Sequence, residues 1–344
     1  MKLSIFFLLL SLSSLAQENR EYRSCYNVQT QEQSMGITID YGDYSGMCFN
    51  DVMMKAIEQT SLPSFLDQDQ FILVKNFSHQ GEYFYALIDL YKIKANTQVI
   101  MQLERFNPKW IAGHTQLRYQ FSENAVELYR NIEDIHLSKK PAFRLNDIVT
   151  SIEAMRPFGK NYSLIDGTQR KFLAVFRMKS LSDVAIKAIK NKNDSIEQFK
   201  IKFERQENKR LLLEYYIQSG TKKGYSLEYN TVTFNCTNGL YFQAEPIVKS
   251  VGKKINTVQK IKLALPVLAS GALEKSNLID ERLSNFSAMR ALISATRNNR
   301  DLSLSTQTTL IQELPLEKMR SYEPCGEEKF RHHGICLDKK KEER

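Results

Sequence analysis

Long hydrophobic runs are scarce in this sequence. The apolar run Ile5-Phe6-Phe7-Leu8-Leu9-Leu10 is far short of the roughly 20 residues a spanning helix needs, and no later segment is apolar enough to cross a bilayer. The run follows Lys2 and leads through Ser13-Ser14-Leu15-Ala16 to polar Gln17-Glu18, which is the layout of a secretory signal peptide, 1–16, cleaved near Ala16. No cysteine follows that point, so the chain does not read as a lipoprotein. A basic stripe is also missing. The net charge of +9 is spread among acids along the whole chain, without regular aromatics, and this argues against nucleic acid. Anionic membrane surfaces or lipid headgroups, met as a peripheral contact, are the expected use of the charge, and Lys339 to Arg344 is read as a solvated tail. With 42% hydrophobic and 25% charged residues in 344, the rest is globular material for one large domain or two.

Cysteines are few and odd in number, at positions 25, 48, 236, 325 and 336. In an oxidising compartment at least one thiol stays unpaired. Cys25 and Cys48 bracket a turn-rich segment, and Cys325 and Cys336 close a short loop, so both pairs are expected as local disulfides. Each would stabilise a terminal segment by about 3 kcal/mol in the chain-entropy model. His332 and His333 lie inside the second loop, but the spacing lacks the paired pattern of common zinc sites, and no metal is expected. Cys236 is left alone.

The apolar pattern predicts a helix over 50–59 and then strands at Phe71 to Val74, Tyr83 to Leu90 and Val99 to Leu103. From Gly113 to Phe121 the residues alternate, with His114, Gln116, Arg118 and Gln120 on one face. Ala125 to Tyr129 follows a polar turn and reads as the return strand of a hairpin, which would set Glu127 opposite the histidine strand. A strand at Lys171 to Met178 precedes Ser180-Leu181-Ser182-Asp183, a capping-box spacing for a helix to about Lys190. Phe199 to Phe203 alternates, and Lys209 to Ile217 is helix-like. Beyond Pro246 the pattern is mostly helical, through Ile255 to Leu268, Ser276 to Arg297 and Leu302 to Leu314. The class is therefore α+β, with a mixed core and a helical tail. The expected division is 17–82 as a disulfide-stapled region, 83–250 as the core domain and 251–344 as a helical extension with the terminal disulfide loop.

Asn235 is placed to cap a helix that begins at Cys236, which would set the thiol at the positive end of a helix dipole and favour the thiolate. Gly239 weakens that helix and Pro246 is expected to end it. His114 is the best-placed imidazole to serve as base; His79 reads as part of a hairpin turn and His136 as part of a polar connection. A plainer reading stays open, with Cys236 a small buried thiol and His114 a structural histidine.

Trp110-Ile111-Ala112-Gly113-His114-Thr115-Gln116-Leu117-Arg118-Tyr119 resembles the "GH-T-x-L-R" strand of the Lnb N-terminal periplasmic domain family. Phe234-Asn235-Cys236-Thr237-Asn238 resembles its "N-C-T-T" motif, with Asn238 where the family usually has Thr. Leu181-Ser182-Asp183 fits its "L-S" helix, and Leu273 to Ile279 resembles a segment that can follow. The resemblance covers roughly Phe84 to Ile279. It implies a circularly permuted papain-like core of the NlpC type, with an antiparallel sheet and helices, in which the histidine strand precedes the cysteine. It further implies Cys236 as nucleophile, His114 as base, a thioester intermediate and no cofactor. The substrates implied are a lipid, a lipoprotein or peptidoglycan, attacked by an acyltransferase or an amidase-type hydrolase. No motif marks the residue that orients the histidine: Gln116, Arg118 and Glu127 are the candidates, with Tyr229 and Asn235 near the oxyanion. A second class stays open, a non-catalytic envelope protein that uses the same fold for binding or scaffolding.

Overall fold

The computed structural model describes residues 23–28, 31–39, 42–49, 52–58, 62–105, 113–184, 195–284, 329–332 and 335–338. The signal-peptide segment, Cys325, the predicted helix at Leu302 to Leu314 and the lysine-rich tail lie outside them. Two compact units are present, one within Met1–Val52 and Met155–Ser163, the other within Met53–Ala154 and Leu164–Arg344.

In the first unit, β1 (Arg23–Asn27), β2 (Glu32–Ile39) and β3 (Met47–Phe49) form an antiparallel sheet in that order. Cys25 on β1 and Cys48 on β3 are disulfide-bonded, as their spacing predicts, with Cα atoms 5.8 Å apart.

The second unit begins with β4 (Lys55–Ala56), β5 (Phe71–His79), β6 (Glu82–Asp89), β7 (Gln98–Arg105), β8 (Gly113–Gln120) and β9 (Val126–Tyr129). A short α1 (Ile132–His136), β10 (Phe143–Leu145), β11 (Asp147–Met155), α2 (Leu164–Thr168), β12 (Phe172–Lys179) and β13 (Ser195–Ile201) follow. Then come α3 (Gln206–Lys223), β14 (Glu228–Tyr229), α4 (Cys236–Ser250), α5 (Thr257–Leu263), α6 (Pro266–Lys275) and β15 (Ile279–Ser284). A separate hairpin pairs β16 (Lys329–His332) with β17 (Ile335–Asp338). The main sheet runs β10-β9-β6-β5-β12-β11-β8-β7-β13-β15, with β14 on β12 and β4 on β5. β5 and β6, β7 and β8, and β8 and β11 pair antiparallel, whereas β12 meets β5 in parallel. The class is thus mixed α+β, a large mixed sheet with several helices. β5, which precedes the expected boundary at residue 82, belongs to this sheet.

Four expectations need correction. In the span 50–59 predicted as a helix, the described residues 52–58 are not helical: Val52, Met53 and Met54 are all buried in succession, which one helix face does not allow, and Lys55 and Ala56 pair with Lys75 and Val74. The predicted hairpin of the histidine strand with Ala125 to Tyr129 does not form. β8 pairs with β7 and β11, while β9 pairs with β6 and β10, so four strands separate them. The helical reading of Ser276 to Arg297 gives way to β15, which pairs with β13; residues 285–297 are outside the described residues. Pro246 does not end α4, which continues to Ser250. The carbonyl four residues back that a proline leaves without a helical partner belongs here to Phe242.

α4 and α6 pack against β8, and α3 packs against β4. The Tyr216 hydroxyl of α3 lies 2.7 Å from both the Ser151 and Arg177 carbonyls, between which its one hydrogen is shared, fastening the helix over β11 and β12. Gly220 lets the same helix approach closely, since a Cβ there would lie 2.9 Å from Phe176 Cβ.

Candidate active site

Cys236 is the first residue of α4, and its environment is set by the residue before it. The Asn235 side chain accepts hydrogen bonds from the Thr237 and Asn238 backbone N–H groups at 2.8 and 3.1 Å, and the Asn238 side chain accepts from Asn235 N–H at 2.6 Å. This reciprocal capping box satisfies orphan N–H groups of the first turn. It also gives Asn238, the departure from the family pattern, a defined role. The Asn235 amide further donates to the Thr231 and Ala264 carbonyls at 2.6 and 2.7 Å. The Cys236 sulfur therefore sits on a helix start fixed from both sides. It accepts from the Thr115 backbone N–H at 3.5 Å, and the Thr237 hydroxyl lies 3.9 Å away. Thr115 and Thr237 meet hydroxyl to hydroxyl at 2.8 Å, tying α4 to β8 beside the thiol.

Thr115 follows His114, so the bond that fastens the thiol to β8 also brings it to the imidazole. The register of β8 against β11 puts Arg118 beside Val149 and, continued toward the other end, sets His114 near Glu153. His114 Nε2 lies 3.6 Å from Glu153 Oε1, beyond a direct hydrogen bond but well within reach of its charge. Glu153 is in turn held by the Lys179 ammonium and the Ser151 hydroxyl, each at 2.7 Å, with Arg177 at 3.7 Å. Burial alone would lower the His114 pKa, but contact with Cys236 and then Glu153 outweighs it and raises the value to about 9. Burial opposes the Cys236 thiolate, yet His114, the Thr115 N–H and the Thr237 hydroxyl together bring the thiol below its ordinary value. Against the cost of burial, Lys179, Arg177 and His114 hold Glu153 well below the usual carboxylate range. These shifts favour a thiolate beside an imidazolium, backed by a carboxylate.

Glu153 was not legible as a site residue. Its strand is signalled by the β-branched run Ile148-Val149-Thr150, and it carries the carboxylate that the register delivers to His114. The other named candidates are placed differently. Gln116 donates to Gln102 at 3.1 Å, Gln102 to Gln198 at 2.9 Å, and Arg118 to Asp147 and Gln198, forming a buried polar layer across β11, β8, β7 and β13. Glu127 bonds Tyr129 and Arg144 on the far side of the sheet. Tyr229 pairs with Phe172 between β14 and β12, and Asn235 is the helix cap. His79 lies at the end of β5, before a two-residue turn with positive φ at Gln80 and Gly81, its Nδ1 bonded to Ser180 at 2.9 Å. His136 ends α1. Cys336 lies on β17, and its expected partner Cys325 is outside the described residues.

An apolar cavity is walled by residues of β8 and of the helices, next to the site though neither Cys236 nor His114 lines it. Thr115 and Thr237, the two neighbours of the sulfur, form part of its wall, with Leu117, Leu240, Leu263 and Leu273. Among the described residues no group of three or more His, Cys, Asp or Glu side chains is placed to hold a metal ion.

The model of the Lnb N-terminal periplasmic domain matches residues 83–266, more than half of the chain. The chain belongs to the Lnb N-terminal periplasmic domain family. Its match begins at β6 and ends where α6 begins, so it takes in His114, Glu153 and Cys236 together. No curated protein and no solved structure matches the chain. A periplasmic domain family fits an exported protein, and no helix among the described residues is long and apolar enough to cross a membrane.

Proposed function

We propose that the protein is an exported thiol-dependent acyltransferase or amidase-type hydrolase of a permuted papain-like architecture, with Cys236 as nucleophile and His114 as its acid–base partner. The observation that carries the reading is the placement of the Cys236 sulfur. It lies at the capped start of α4, takes the Thr115 N–H at 3.5 Å, and meets an imidazole biased towards its charged form. In the first step the thiolate attacks an acyl carbonyl, and the His114 proton passes to the departing oxygen or nitrogen as that bond breaks. A thioester remains on Cys236. His114, now neutral, takes a proton from an incoming amine or water, which attacks the thioester and releases the thiolate. Glu153 is a positioning residue in this scheme, holding the imidazole and its charge.

The apolar cavity beside the thiol favours a lipid or lipoprotein acyl group over a peptidoglycan amide, because an acyl chain gains from leaving water and a sheltered thioester is guarded against hydrolysis. Burial of Cys236, which is 2% exposed, favours the competing reading of a non-catalytic envelope protein used for binding or scaffolding. The deciding experiment incubates the protein with a diacylated lipopeptide or a phospholipid and looks by mass spectrometry for an acyl adduct on Cys236. Capture should vanish in Cys236→Ala and fall sharply in His114→Ala. An absence of any adduct, together with iodoacetamide labelling only after denaturation, would establish the non-catalytic reading.

A further inference from the structure

Helices α5 and α6 turn large apolar side chains outward. Val258 and Ile261 on α5 are 61% and 66% exposed, and Leu265 and Leu268 at the start of α6 are 46% and 43% exposed. Each pair is three residues apart, the spacing of neighbours on one helix face. The inner side of the same helices is also apolar, with Leu263, Ala269 and Ala272 buried and Leu263 and Leu273 walling the cavity beside Cys236. Among the described residues, packing therefore accounts for one side of this helical pair and leaves the other exposed.

Charge indicates what covers it. Residues 251–278 hold five lysines, Lys253, Lys254, Lys260, Lys262 and Lys275, against the single acid Glu274. Lys254, Lys260 and Lys275 are exposed, and Lys262 is half-buried. Two of the five have partners within the protein, Lys260 on Glu245 at 2.9 Å and Lys253 on the Asn277 carbonyl at 2.6 Å. A second copy of this face would bring like charges together, because a two-fold contact sets a patch against itself. Outward aliphatics interleaved with lysines suit an anionic headgroup layer, where the aliphatics enter the acyl boundary and the lysines meet phosphates.

We propose that α5–α6 is the docking surface by which this protein seats itself on an anionic lipid bilayer. The element is fastened to the site: the Ala264 carbonyl, between the two helices, accepts from the Asn235 amide at 2.7 Å. Pro266 rests against the start of β8, 3.4 Å from where a Cβ on Gly113 would be. Docking would bring the start of α4 to within about one helix diameter, roughly 10 Å, of the bilayer surface. The inference does not depend on the chemistry proposed for Cys236.

Co-sedimentation of the full chain, as exported, with vesicles of equal parts phosphatidylglycerol and phosphatidylcholine tests it against vesicles of phosphatidylcholine alone. The parent should bind the anionic vesicles more tightly, and added salt should weaken that binding. The double variant Ile261→Asp, Leu265→Asp should bind at least tenfold more weakly to both. Lys254→Gln with Lys262→Gln should lose about fivefold per lysine on the anionic vesicles and little on the neutral ones. Cys236→Ala should bind as the parent does. The milder Ile261→Ser, checked by thermal melting for an unchanged fold, guards against reading an unfolded variant as lost docking, and it should also bind more weakly. Equal binding of the parent and the folded apolar variants would overturn the proposal. A parent that ignores vesicles but forms a dimer dissociated by Ile261→Asp would overturn it equally.

Discussion

Glu153 stands 3.6 Å from the His114 imidazole and 2.7 Å from the Lys179 ammonium, so one carboxylate faces a histidine and a buried lysine together. Removing its charge would leave Lys179 and Arg177 short of a counter-charge in a largely buried place. Glu153→Gln is expected to cost about 3 kcal/mol in denaturant unfolding, the usual scale for breaking a buried pair from one side. It should also lower the His114 pKa. Adding Lys179→Met should recover part of the stability but leave the histidine shift in place, which separates the two effects.

The pH dependence of the thiol–imidazole pair has a definite sign. His114 is raised from an ordinary 6.5 to about 9, so the stability it contributes is fully present below 6.5 and is lost as pH rises through about 9. Cys236 is lowered, so its contribution is lost as pH falls through its folded value. The two contributions change in opposite directions over this window, so thermal melting should show only a shallow dependence of stability on pH between 6.5 and about 9. In Cys236→Ala the His114 ring should titrate below 9 by NMR. An unchanged ring titration would mean that the thiol is not what holds the proton.

Asn235 does more than cap a helix. Its loss removes the acceptor for Thr237 and Asn238 and leaves the Thr231 and Ala264 carbonyls without their donor. Asn235→Ala should therefore cost about 2 kcal/mol, a cap plus unmet carbonyls. Asn235→Asp, which keeps the acceptor and removes the donor, should recover about half. Equal losses in the two variants would show that the carbonyl contacts, and not the cap, hold the Cys236 loop.

Gly220 lets α3 lie close against Phe176 of β12. A methyl there would meet Met54 Cε at 2.7 Å and Phe176 Cβ at 2.9 Å, and only the first can yield. Gly220→Ala would ordinarily favour a helix, yet it should destabilise by about 1–3 kcal/mol through overpacking. The denaturation midpoint reads this directly.

Much of the architecture could be read from local pattern. The alternation over Gly113 to Phe121 places His114 on a strand, and Asn235 followed by Cys236 and Thr237 signals a capped helix start; both elements form where expected. Pairing was not legible, because period two says which face a residue takes and nothing about which strand lies beside it. Glu127 is therefore the neighbour that a hairpin would give His114, whereas Glu153, on a strand whose partner local pattern does not name, is the neighbour that the register gives it. The helix expected over 50–59 failed for a related reason. Its apolar positions fit a helical stripe, but Val52, Met53 and Met54 are buried one after another by tertiary packing.

The polar layer of Gln102, Gln116, Gln198, Arg118 and Asp147 has a consequence for how the site is assembled. A slip of one residue between β7, β8 and β11 would turn His114 to the opposite face and leave buried amides and a guanidinium facing aliphatics. These side chains thus work like the teeth of a key, admitting one alignment of the strands and rejecting its neighbours. The distance between an imidazole and a carboxylate drawn from different strands is then set during folding, by residues that need never meet a substrate.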